Sequence, residues 1–235
     1  MAHGTRDRAG VATTEALLEQ VRALRPDLRV EVGYLDLVRP SLDEALAGLA
    51  GEVVLVPLLL GAGYHVHADI PAAVAAAPWV RATVAPALGP DPLLATALGD
   101  RLAEAGRPRA AGPVVLAAAG SRDPAANADT ARMARLLRGH LGAPVIPSYL
   151  CAGSPTPAEA VAALRAEGHD RIAVAGYLLA PGFFARRAAE AGADLVSSPL
   201  GTHTAVAELI LRRYLAAAGH GPAPRPAAPA GGARV

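Results

Sequence analysis

Three side chains in the first half of this 235-residue sequence are of the types that grip a divalent metal ion: His3, Asp36 and His65. Neutral imidazole suits cobalt, nickel or ferrous iron and can accept a proton near neutral pH, while a carboxylate can orient an imidazole or help neutralise the cation. An internal comparison singles them out. The chain contains a second copy of the same pattern, in which His3 is matched by Ala119, Asp36 by Cys151 and His65 by Phe184. Both copies must satisfy the same fold, so residues present in only one are the best candidates for chemistry. Each of the three falls at or just past the end of a strand candidate, the edge where open α/β sheets bind ligands.

The elements that must position them follow from periodicity. Apolar, β-branched runs of strand length occupy 30–37, 53–60, 80–84, 114–119, 145–150, 171–178 and 194–197. Between them lie segments with helical patterning at 13–24, 41–49, 70–76, 92–104, 126–140, 157–167, 184–191 and 204–217. Strict alternation of this kind predicts an α/β protein with parallel sheets covered on both faces. Ser41-Leu42-Asp43-Glu44 and Thr156-Pro157-Ala158-Glu159 both have capping-box spacing, the second with proline at the first helical position.

Those two caps lie 115 residues apart, and the coincidence continues. Gly4-Thr5-Arg6-Asp7 matches Gly120-Ser121-Arg122-Asp123, Tyr34-Leu35 matches Tyr149-Leu150, and residues 58–64 resemble 177–183. The division expected is a first unit over 1–107, a second over 112–218, and a disordered tail over 219–235, where proline, alanine and glycine offer nothing to bury. The second copy has an apolar strand directly before its Gly-Ser-Arg motif. The first begins at Met1 with nothing comparable, so its first strand is expected to lie upstream of this sequence.

Composition excludes several functions. All 22 basic residues are arginine, which removes Schiff-base lysine catalysis and the phosphate loop that needs lysine. A formal charge of +1 with 3% aromatic residues gives no nucleic-acid footprint. The apolar runs are too short to span a membrane, and the N-terminal residues have no secretory core, so a cytoplasmic location is expected. The lone Cys151 can form neither an internal disulfide nor a thiolate zinc site and is expected to be a small buried residue.

The ordered motifs carry a resemblance. His3-Gly4-Thr5-Arg6-Asp7, Tyr34-Leu35-Asp36 with Pro40-Ser41-Leu42-Asp43-Glu44, and Val56-Pro57-Leu58-Leu59-Leu60 with Gly63-Tyr64-His65 and Asp69-Ile70-Pro71 resemble those of the sirohydrochlorin chelatases. These are class II chelatases, relatives of the anaerobic cobaltochelatase and of protoporphyrin ferrochelatase. The resemblance implies two tandem chelatase-like, flavodoxin-like domains with a cleft between them, the first catalytic and the second degenerate. It implies a lyase that inserts cobalt or ferrous iron into sirohydrochlorin for cobalamin or siroheme, with the metal as substrate and no organic cofactor. The expected partner is the small-molecule tetrapyrrole, with neither nucleic acid nor membrane involved. His3 and His65 would bind the metal, and Asp36 would assist catalysis. Family members often have glutamate where this chain has Asp36, which draws the carboxylate back by one methylene. Because the substrate carries carboxylates around its rim, Arg6, Arg39, Arg122, Arg186 and Arg187, beside the motif loops, are candidates to bind them. The alternative is a non-catalytic tetrapyrrole or metal carrier on the same fold.

Overall fold

The computed structural model describes residues 1–61, 63, 68–108 and 111–219. The expected tail lies almost wholly outside these residues. The order of elements is α1 (Arg8–Leu24), α2 (Leu42–Ala47), β1 (Gly51–Leu55), α3 (Ile70–Ala75), β2 (Val80–Val84), α4 (Pro92–Glu104), β3 (Val114–Ala118), α5 (Pro124–Leu141), β4 (Val145–Tyr149), α6 (Pro157–Ala166), β5 (Ala173–Tyr177), α7 (Phe183–Ala189), β6 (Leu195–Val196) and α8 (Thr204–Ala218). All strand pairings are parallel, as the alternation predicts: β1 with β2 in the first half, and the order β4-β3-β5-β6 in the second.

The repeat is visible bond by bond. Both capping boxes form, Ser41 with Glu44 and Thr156 with Glu159. Asp7 caps α1 by accepting from Ala9 N at 3.0 Å, and Asp123 caps α5 by accepting from Ala125 N at 2.9 Å. Leu35 N and Asp36 N donate to Ala2 O and His3 O, just as Leu150 N and Cys151 N donate to Ala118 O and Ala119 O. Residues 1–3 therefore occupy the place held in the second half by the end of β3 and the residue after it. The one large departure from the expected elements is at 30–37. Its counterpart forms β4, but here the pairing reduces to bridges from Tyr34 to Ala2 and to Ser41.

Packing joins the halves through exchanged helices. β3 is buried on both faces; Val114, Leu116 and Ala118 face a core shared by both halves, and Val115 and Ala117 face a second-half core. The last helix of each half crosses over: α4 packs on α5 and β5, while α8 packs on α1, β1 and β2. Asp91, 5% exposed, caps α4 and takes ion pairs from Arg212 and Arg213 of α8. Tyr177, fully buried, donates its hydroxyl to Leu60 O at 2.8 Å, and Gly89 leaves room for that contact. A Cβ at Gly89 would come within 2.0 Å of the Tyr177 oxygen.

Candidate functional site

A cleft of about 1030 Å³ opens between the halves at the C-terminal ends of β1, β3 and β5. This is the edge at which parallel sheets present loops and helix starts to a ligand. The first half contributes His3, Thr5, Arg6, Asp7 and residues 58–61 and 63; the second contributes Ser121, Asn127, residues 177–186 and the exposed Cys151.

His3 is exposed and follows the bridge at Ala2, so paired backbone fixes its Cα. Its Nδ1 lies 3.3 Å from Gly4 O. The turn that presents it requires glycine at position 4, where φ is +99° and a Cβ would stand 1.9 Å from Asp36 O. Gly120 repeats this geometry against Cys151 O, at φ +87° and 1.9 Å. Gly4→Ala is therefore expected to cost about 3 kcal/mol or more and to displace His3, measured as a lowered denaturation midpoint together with lost activity.

The cleft separates the candidate residues into two groups. His3, Arg6 and Arg186 line it. Asp36 does not: its carboxylate turns back to accept from Leu37 N at 2.7 Å, a bond that accompanies the left-handed conformation of Leu37 at φ +65°. Arg39, 87% exposed, is paired with Glu44 at 2.7 Å and stands away from the cleft, as does Arg122. Arg187 donates to Leu150 O at 2.6 Å and lies over the Phe183 ring. His65, with His67 two residues on, lies outside the described residues. Gly63, the described residue nearest before His65, lines the cleft, its Cβ position 3.7 Å from Ser121 Oγ. No group of three His, Cys, Asp or Glu side chains positioned to hold a metal occurs among the described residues.

Cys151 corrects the expectation of burial. It stands on the turn after β4, at the position Asp36 holds in the first copy, and its thiol donates to Ala119 O at 3.0 Å. A turn that closes at the sheet edge exposes the side chain whatever its hydropathy.

Sequence reasoning named Arg186 on the second-half wall of the cleft but missed that wall's aromatic surface. Phe183 is 61% exposed at the start of α7, with Phe184 5.5 Å away centroid to centroid, so an aromatic surface faces the ligand space. Arg186 in the same helix reaches across to Asp7 at 2.7 Å. The Arg186 guanidinium and then the Ala9 amide hold the Asp7 carboxyl below the usual carboxylate range, so this bridge persists at neutral pH and is lost only as pH falls through that lowered value. Tyr34 is 2% exposed and also lines the cleft; its hydroxyl has no partner, and desolvation raises its pKa. The signal for Tyr34 was its repeat in Tyr149, whose hydroxyl does find Asn127 O at 3.3 Å. For Phe183 there was none, since its counterpart, Tyr64, is also aromatic.

The family model described as CbiX matches residues 1–105 and again 113–217. A sirohydrochlorin ferrochelatase from Priestia megaterium is 28% identical over 193 residues, covering 77% of this chain and 72% of that protein. A sirohydrochlorin cobaltochelatase from Sulfurisphaera tokodaii is 34% identical over 79 residues, covering 32% of this chain and 66% of the relative. Among solved structures, SirB from Bacillus subtilis with Fe3+ superposes with a TM-score of 0.81 at 26% identity, covering 93% of this chain and 94% of that one. The cobalt complex of SirB from Bacillus subtilis subspecies spizizenii gives a TM-score of 0.72 at 25% identity, with 93% of each chain covered.

Proposed function

Because the chain belongs to the CbiX family, we propose that it inserts cobalt or ferrous iron into sirohydrochlorin, the ion being a substrate held by His3 and His65. The observation that carries this reading is the position of His3: an exposed imidazole on a fixed turn, at the mouth of a cleft large enough for a flat macrocycle. Insertion requires two pyrrole protons to leave while the hydrated cation sheds water. A neutral imidazole can do both jobs, accepting a proton or giving its lone pair to the ion.

The remaining residues take supporting parts. Asp36 accepts from Leu37 N, and its own amide donates to His3 O at 2.9 Å. It therefore acts on His3 through the backbone, as a positioning residue. Arg6 and Arg186 meet rim carboxylates, and Phe183 lies against the ring. Arg186 exchanges its Asp7 partner for a substrate carboxylate, so one cation serves Asp7 and the substrate in turn.

The reading is tested by following the absorbance of free sirohydrochlorin with cobalt, ferrous and nickel ions. Metal-dependent loss at catalytic protein concentration supports it, whereas binding of ring or ion one to one without insertion would mark a carrier. Arg6→Ala and Arg186→Ala are each expected to raise KM for the tetrapyrrole roughly 10-fold with little change in kcat. Arg39→Ala, remote from the cleft, should leave KM unchanged.

A further inference from the structure

The turn after Asp36 carries a large apolar side chain that the fold does not bury. Leu35 and Val38, on either side of it, pack against the hydrophobic cores. Leu37 between them is 50% exposed and lines the first-half wall of the cleft. Its backbone is left-handed, at φ +65°, a conformation in which a Cβ crowds the main chain and which glycine adopts freely. An exposed leucine held at such a position has no account in packing or in backbone preference.

The repeat separates what the turn needs from what the side chain adds. Ala152 stands at the same place in the second copy, with φ +41° and only a methyl group. Both copies therefore use the positive φ, and the turn closes without a large side chain. The copy that carries His3 is the one that places an isobutyl group there and tethers it: the Asp36 carboxylate accepts from Leu37 N at 2.7 Å, whereas the Cys151 thiol in its place donates to Ala119 O. Asp36 N in turn donates to His3 O at 2.9 Å, so Leu37 and the candidate imidazole sit on one hydrogen-bonded turn. Of the exposed large apolar side chains among the described residues, Leu37 and Phe183 line the cleft, one from each half.

We infer that Leu37 is a substrate-binding residue, the first-half jaw of an apolar clamp whose second jaw is Phe183, closing on the two faces of a flat ring. The identity of that ring rests on the chelatase reading. A macrocycle with carboxylates around its rim is charged at its edge and apolar on its faces, so arginines can hold the edge but contribute little to the faces. Leu37, on the same wall as His3, meets the face from which the ion enters. Apolar contact of this kind adds affinity that salt does not screen, unlike the contribution of Arg6 and Arg186.

The test is titration of metal-free sirohydrochlorin into the full chain, followed by the absorbance of the ring. Leu37→Gly and Leu37→Asn both suit a left-handed residue, so each should keep a thermal midpoint no lower than the parent's. Both should raise Kd about 5- to 10-fold, by the same factor at low and at high salt. Leu37→Met, which restores a long apolar side chain, should return Kd to within about 2-fold of the parent. Ala152→Gly makes the same backbone change at the exposed turn of the second copy and should leave Kd unaltered. Parent-like Kd in Leu37→Gly and Leu37→Asn, a lowered midpoint in both, or no recovery in Leu37→Met overturns the inference. The titration contains no metal, so binding that depends on Leu37 survives a failure of insertion, whereas parent-like binding by variants of an active chelatase removes Leu37 alone.

Discussion

Replacing His3 by alanine is expected to lower the rate of metal insertion by about 10²-fold or more while leaving the thermal midpoint within about 2 °C of the parent. The two halves of this expectation have separate causes. His3 is exposed, with Nδ1 3.3 Å from the oxygen of the next residue, so its removal uncovers no core. Its chemistry has no substitute nearby: among the described residues it is the one imidazole that lines the cleft. His65→Ala should give a comparable loss if both imidazoles share the ion, and the double replacement should then cost little beyond either single one. Parent-like turnover in His3→Ala, by the same absorbance assay, would remove the mechanism whatever the family.

A large effect on stability is also expected from a residue that takes no part in the chemistry. Asp91→Ala removes a buried carboxylate that caps α4 through Leu93 N and receives both Arg212 and Arg213. Losing the cap and stranding the half-buried Arg213 beside Leu88 O should together cost about 3 kcal/mol, which for a chain of this size lowers the midpoint by about 6–12 °C. Denaturant unfolding would measure it, and a change below about 1 kcal/mol would show that apolar packing alone holds α8 in place.

Most of the helices and strands were legible because their signals are local. Both capping boxes could be read from four residues each and both form. The start of α1 was read at residue 13, but Asp7 caps it at Arg8; Arg8-Ala9-Gly10-Val11 has no apolar stripe, and the cap that begins the helix is the aspartate of the Gly-Thr-Arg-Asp motif. The strand expected at 30–37 failed for a different reason. Its residues have strand chemistry, but a strand is defined by its neighbours, and the pairing this segment finds is limited to the bridges from Tyr34 to Ala2 and to Ser41.

The site was legible mainly on its first-half side, with Arg186 the second-half candidate that does line the cleft. His3 and Arg6 could be found because they belong to one motif, in which His3 also differs between the copies. Phe183 and Asn127 belong to the cleft because two sheets point their C-terminal edges at each other, and nothing in the spacing of one half encodes what the other will place opposite. The same geometry separates Arg186 from Arg187: adjacent in sequence, they diverge around the helix, one into the cleft and one onto Leu150.

The crossing of α4 and α8 bears on why a copy stripped of its imidazoles persists at all. Each sheet is roofed by a helix that the other half encodes, so neither half owns a complete interior. The back copy carries Ala119, Cys151 and Phe184 where the front has His3, Asp36 and His65, yet removing it would unroof the front one. Duplication left this chain with a partner it can disarm but never dismiss.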